Sequence, residues 1–340
     1  MQTRSFLLLV AATIALVAGA AASVMTGNRE ISPPEQARLA FPDLAANLGN
    51  LAWMRLSHGS TKIDFTLVGG SWVVVEKGNY PAAPDKARRL LLGLADLTLV
   101  EAKTQRPELF GRLGLDNAGS GDATLVTLQD RLGKNVAEIL IGKSRHDRLG
   151  TGDDGVYVRK PDEKRTWLAR GSLDLPTDVV GWLDRRIIDL PPARIASIAL
   201  TGDDGVALTL RRDSTDAHFA VTDMPADSKI RDEALLAAPA GVLAGLDLDD
   251  VQPAADLPLP ATGVSTAVFT TFHGLTVTLR LFAHDNADWV ALDASGNGGA
   301  AADAKTLEAR VTHWVYAIPA ERAKLLRTKL ADLVEPAKGS

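Results

Sequence analysis

Cysteine is absent from this 340-residue chain. That removes disulfides, thiolate zinc centres, iron–sulfur clusters and cysteine nucleophiles together. It also excludes a lipid anchor attached through an N-terminal cysteine. Other catalytic signatures are missing too. No two histidines stand at i, i+4, and there is no G-x-S-x-G elbow, no Walker loop and no G-x-G-x-x-G after a strand pattern. The sequence therefore implies neither a metal nor a cofactor. Long basic runs are lacking and net charge is −5, which argues against nucleic acid as a partner. Bulk disorder is excluded by the opposite consideration. Hydrophobic residues make up 46% of the chain, enough to build one large core or two smaller ones.

One long apolar run is present, and it lies at the start. Phe6 to Met25 carries no charge. Some 20 residues at about 1.5 Å each make about 30 Å of helix, enough to cross a bilayer core. Arg4 precedes the run and polar Thr26 to Glu30 follows it. Residues 1–25 thus read as a transmembrane anchor, with the N-terminus cytoplasmic and the remaining chain exported. The alternative is a cleaved signal peptide, since Ala20-Ala21-Ala22 supplies small residues where a peptidase acts. Both readings export the body. Residues 26–50, with Pro33 and Pro34, read as a tether.

The body reads as an α+β fold, two tandem and similar units of mainly antiparallel sheet with helices on one face. The first spans 51–192, the second 193–335, and 336–340 form a tail. Lys62 to Leu67 alternates polar and apolar, turns at Gly69-Gly70, and returns through Ser71 to Val75. Ala87, Leu90, Leu91 and Leu94 form one apolar stripe at helical spacing after Pro84. Leu125–Gln129 and Val136–Ile141 flank Gly133 as a second hairpin, and Pro176 is expected to open a short helix. The second half repeats this order. Tyr80-Pro81-Ala82 recurs as Met224-Pro225-Ala226, the Gly133 turn as His273-Gly274, Trp167 as Trp314, and Pro176 as Pro319. Its helix runs from about Lys229 towards Ala244, cut at Pro239. The stretch from Pro253 to Pro260 and the Ser295 to Gly299 loop read as irregular.

Candidate chemistry dissolves into local structure at each place. Asp153-Asp154-Gly155 and Asp203-Asp204-Gly205 have the composition of turns before strands rather than of metal-binding carboxylate pairs. Asp247, Asp249 and Asp250 lack the glycine and distal glutamate of a calcium loop and read as a solvated loop. His146-Asp147 and His284-Asp285 fall in polar, loop-like sequence, and His273 is a hairpin-turn residue. Gly296, Gly298 and Gly299 have no apolar helix pattern after them, so a phosphate cradle is not expected. Trp72, Trp167, Trp289 and Trp314 lie in strand patterns among apolar neighbours, which points to core burial rather than to a sugar-binding platform. Trp182, on a helix near Val179, reads as core too. No catalytic residue is assigned.

Several short motifs resemble a known family when read as an ordered set. They are Trp72, Tyr80-Pro81-Ala82, Gly114-Leu115-Asp116, Ile139-Leu140-Ile141-Gly142, Gly155-Val156-Tyr157-Val158-Arg159, and Trp182 through Ile188. Together they resemble the bacterial domain of unknown function 4340, most clearly from about Trp53 to Leu200. The resemblance implies an N-terminal membrane segment, an extracytoplasmic body, and an auxiliary role beside gliding-motility-type ABC transporter components. It supplies no catalytic residue. The expectation is a non-catalytic, single-pass protein of the inner membrane with a periplasmic body, acting as a binding or accessory component of an ABC-type transport or envelope system. An envelope hydrolase with a loop-assembled site, or a cell-wall glycan-binding module, is the alternative.

Overall fold

In a computed structural model, residues 37–335 are described apart from 117–120, 146–153, 172, 174 and 227. The apolar run Phe6–Met25 and the pair His146-Asp147 lie outside the described residues, as does Asp153. No described helix is long and apolar enough to cross a membrane.

The chain enters the fold at Arg38, within the range assigned above to the tether. The first sheet is built from β1 (Arg38–Leu39), β2 (Leu51–His58), β3 (Thr61–Val68), β4 (Ser71–Val74), β5 (Tyr80–Pro81), β6 (Thr98–Ala102), β7 (Thr124–Asp130), β8 (Asn135–Arg145), β9 (Gly155–Arg159) and β10 (Trp167–Arg170). Its order is β1-β6-β10-β9-β8-β7-β2-β3-β4-β5, with neighbours antiparallel throughout. The turn α1 (Leu44–Asn47) precedes β2, and α2 (Pro84–Ala95) follows β5. Pro84 starts α2, where its missing N–H costs nothing. The stripe Ala87, Leu90, Leu91 and Leu94 is buried, as its spacing predicts.

A short ladder, β11 (Arg186–Ile188) with β15 (Leu246–Asp247), joins this half to the next. The second sheet contains β12 (Ile195–Thr201), β13 (Ala207–Arg211), β14 (Ala220–Val221), β16 (Asp250–Pro253), β17 (Ser265–Thr271), β18 (Leu275–His284), β19 (Ala287–Gly296) and β20 (Trp314–Ile318). Helices α3 (Glu233–Ala237), α4 (Ala301–Val311), α5 (Ala320–Leu326) and α6 (Leu330–Leu333) accompany it. Its order is β14-β13-β12-β17-β18-β19-β20-β16, again antiparallel. The first sheet, read from β4 to β6, runs β4-β3-β2-β7-β8-β9-β10-β6. Strand for strand the two orders coincide. The Gly133 turn joins β7 to β8 as the Gly274 turn joins β17 to β18, and Trp167 opens β10 as Trp314 opens β20.

The helices α2 to α6 pack their buried side chains into the same apolar core as the inner faces of the strands. Period-two alternation sends the other side chains outward. Each sheet carries a satellite cluster there. Leu140 of β8 packs with Phe110 and Leu115, and Phe282 of β18 packs with Trp289, Val315 and Leu257.

Three local readings need correction. Pro176 opens no α-helix; the segment makes only a 3-10 turn at Val180–Trp182. Asp178 accepts the Gly181 N–H and the Trp182 indole donates to the Pro176 carbonyl, closing the chain into a turn. The stretch after Gly299 is α4, whose buried residues are only Ala304 and Val311. Finally, Asp247 and Asp250 belong to strands, and the irregular stretch that follows begins inside β16, which ends at Pro253.

Candidate functional site

The motifs scattered along the sequence converge in two places. The first is the joint between the sheets. Ala82 and Leu183 form a bridge, the Asp184 N–H donates to the Pro81 carbonyl, and the Ala83 N–H donates to the Trp182 carbonyl. Trp182 is fully buried and meets Phe65 edge-on. Tyr80 crosses to the second sheet, stacking edge-to-face on Trp314 at 5.0 Å and on Tyr316 at 6.2 Å between ring centroids. Its hydroxyl donates to the Asp184 carbonyl at 3.1 Å. Burial pushes both phenols well above their ordinary value. Asp184 adds to the rise at Tyr80 and the Tyr80 phenol adds to that at Tyr316, while Arg310, which donates to the Ile187 carbonyl, opposes both. Gly78 adopts φ 64° and presents its bare Cα to the ring of Pro253.

The acidic cluster is paired at this joint, with Asp249 exposed between two strands as a solvated loop would have it. Asp247 pairs with Arg186 at 2.6 Å, Asp249 with Arg185 at 3.3 Å and Asp250 with Lys77 at 2.5 Å. Three carboxylates each holding a separate cation do not converge on a metal position. Among the described residues no group of three ligands does so.

The second meeting place is the outer face of the first sheet. Gly114 takes φ 67°, and the 113–114 backbone lies so close to Gly142 that a Cβ there would stand 2.8 Å from the Gly114 carbonyl oxygen. Leu115 and Tyr157 join the same cluster. Arg159 lies over the Phe110 ring and donates to the carbonyls of Pro161 and Glu163. Desolvation lowers its pKa, with Asp116 acting in the opposite sense. Its Nε is buried without a partner. These glycines and this arginine close a structural corner.

The other candidates are dispersed. Asp285 and Asn286 both have positive φ and form the tight β18–β19 turn, with His284 3.2 Å from Asp285 at the surface. Asp204 accepts the Val206 N–H at 3.0 Å within its turn, Gly205 having φ 76°. Lys329 reaches it across 2.6 Å, and that hydrogen bond, ahead of the one from the Val206 backbone, holds the carboxyl below its ordinary value. His273 sits in the Gly274 turn, at the opposite end of β18 from Asp285 and of β12 from Asp204. Gly296 closes against the Ala300 carbonyl, so this close approach accounts for one glycine of the 296–299 cluster. None of the six tryptophans is exposed: Trp167, Trp182 and Trp289 are buried, and Trp53, Trp72 and Trp314 are half-buried. No coplanar aromatic platform is offered to a sugar.

One concavity of about 390 Å³ lies between the β12–β13 hairpin and the α5–α6 segment. Leu200, Leu208, Leu326 and Leu330 give it an apolar lining, while Asp203, Arg327 and Lys329 supply charge. Arg327 is held by Asp288 at 2.6 Å. The lining offers shape and charge for binding but no nucleophile with an adjacent base. This cleft was not legible from the residues alone, because its two walls come from segments more than a hundred residues apart.

A family model described as Domain of unknown function (DUF4340) matches residues 72–259, more than half of the chain. The match begins at Trp72, takes in the outer corner and the first-half side of the joint, and continues past β16, ending before Trp314 and Tyr316. No curated protein and no solved structure matches the chain.

Proposed function

We propose that this chain, which belongs to the DUF4340 family, is a membrane-tethered extracytoplasmic protein that acts by binding, as an accessory component of an ABC-type transport or envelope system. The observation that carries this reading is the uncharged run Phe6–Met25 just ahead of a folded body that begins at Arg38. The twelve residues between them span at most about 40 Å when fully extended. A body held so close to the bilayer meets a membrane partner at high effective concentration. In a Gram-negative envelope it would face the periplasm from the inner membrane.

The body consists of two copies of one sheet-and-helix unit, a reading supported by the coincident strand orders and by the satellite cluster on each outer face. Duplication gives a long paired-sheet surface suited to contact with a partner. The separate pairing of Asp247, Asp249 and Asp250 with cations, and the turn roles of Asp204 and Asp285, favour binding over hydrolysis. The absence of an exposed tryptophan among the described residues disfavours a glycan-binding module.

Fractionation of the native protein with intact-mass measurement tests the tether. The reading predicts a chain that keeps Phe6–Met25 and resists alkaline extraction from membranes. A mature chain beginning near Ser23 and released as a soluble protein would overturn it.

A further inference from the structure

Leu132 is 93% exposed, whereas no other large apolar side chain among the described residues exceeds the 56% of Val206. It stands at the tip of the β7–β8 hairpin between Arg131 and Lys134. The tip is a built turn. Asp130 accepts the N–H groups of Leu132 and Lys134 through one carboxylate oxygen, each at 2.9 Å, and its carbonyl accepts the Gly133 N–H. Nothing in the turn needs a leucine, and the side chain is turned into solvent.

Strand register shows what else lies at this end of the sheet. Leu51 is opposite Asp130, and the Trp53–Thr66 pairing brings the end of β3 alongside, so Val68, 54% exposed, is at the same end. The β9–β10 turn (160–166) and the segment after β6 (103–106) are there too, since Trp167 pairs with both Val158 and Ala102. The segments 101–106, 130–134 and 160–165 contain seven Lys or Arg and four Asp or Glu. This end is therefore net positive in a chain whose total is −5. It is also the end from which the chain arrives. With Arg38 opposite Leu99 and Leu39 opposite Thr98 in an antiparallel pair, Ala37, the first described residue, lies on the Ala102 side of Arg38.

We propose that this end of the first sheet docks on an anionic lipid surface, with Leu132 entering the headgroup–acyl boundary and the surrounding cations contacting phosphates. The inference rests on the tethered reading for its orientation. An apolar tip flanked by cations suits a bilayer interface, where apolar burial and attraction to anionic headgroups act together. A protein partner would need a complementary surface, whereas a bilayer presents both chemistries to a single projecting hairpin.

The lack of cysteine makes the test direct. Full-length Leu132→Cys, and Ser60→Cys at the opposite end as a control, each carry one environment-sensitive fluorophore. Both are reconstituted into vesicles of zwitterionic lipid, with or without anionic phospholipid. The label at position 132 is expected to shift to an apolar emission and be quenched by lipid-borne quenchers in anionic vesicles, with position 60 unchanged. Arg131→Glu with Lys134→Glu should weaken that response by about fivefold or more per charge altered. An alkaline wash of the same vesicles separates the two readings. Protein retained with the label at 132 in water overturns docking and leaves the tether standing. Protein removed by the wash, yet with the label at 132 buried before it, supports docking and overturns the tether. Removal together with a water-exposed label overturns both.

Discussion

Gly78 shows how much the joint depends on single residues. Its φ of 64° favours glycine, and any Cβ would clash with the Cγ of Pro253. Gly78→Ala should therefore cost about 1–3 kcal/mol, combining backbone strain with overpacking. Chemical denaturation checks this, and an unchanged midpoint would mean that the joint yields easily. The buried phenols give a second, independent readout. Tyr80 and Tyr316 are held above the ordinary phenol value of about 10. Their contribution to stability is intact below that pH and is lost as pH rises towards the folded-state values. In an alkaline titration, the tyrosinate absorbance lost in Tyr80→Phe or Tyr316→Phe should appear in the parent only along with unfolding by circular dichroism. Tyr80→Phe itself should cost about 1 kcal/mol, the worth of its bond to the Asp184 carbonyl. By contrast, Asp285 serves a turn, and His284 beside it ends β18 and stacks edge-on with Trp289. Alanine at either position should leave cellular function intact, and loss of function in a folded, abundant variant would return the hydrolase reading to consideration.

Among elements, those with strong periodicity were legible and those defined by contact were not. The α2 stripe, the β7–β8 and β17–β18 hairpins and the recurrence of their glycine turns could be read from the residues alone. Helix α4 could not, because alanine supplies its apolar face; Ala304 and Val311 are its only buried residues. The strand β6 and the edge strand β16 were missed because they follow a helix and a loop and gain their order from β10 and β20. Asp247, Asp249 and Asp250 looked solvated for a related reason. Their partners Arg186, Arg185 and Lys77 are distant in sequence, and only the folded joint brings them near. The family motifs were recognisable without their purpose being visible. Gly142 is the clearest instance, since its lack of a side chain admits the 113–114 backbone. Gly142→Ala should force β8 and that segment apart and lower the thermal midpoint, whereas Gly133→Ala meets no neighbouring atom within 4 Å and pays only for its φ of 77°. Equal melting of the two variants would show that the corner has slack.

At the scale of the whole molecule, one apolar core runs from Ala40 through the joint to Leu333. The two sheets should consequently unfold together, in one calorimetric transition whose van't Hoff and measured enthalpies agree. Two resolved transitions would mean that the joint couples them weakly. A continuous core, a joint tied by both tyrosines and three ion pairs, and a projecting cationic hairpin describe a stiff body positioned for contact. On the proposed tethering, its function is a matter of what it touches at the membrane. The most direct test is in-vivo crosslinking of the full-length protein, followed by affinity recovery and identification of the attached chains. Reproducible crosslinks to integral membrane components of an ABC-type transporter are predicted, and they should disappear when Phe6–Met25 is replaced by a cleavable export signal. Crosslinks confined to soluble proteins or to cell-wall glycan, with the membrane components absent, would contradict the account.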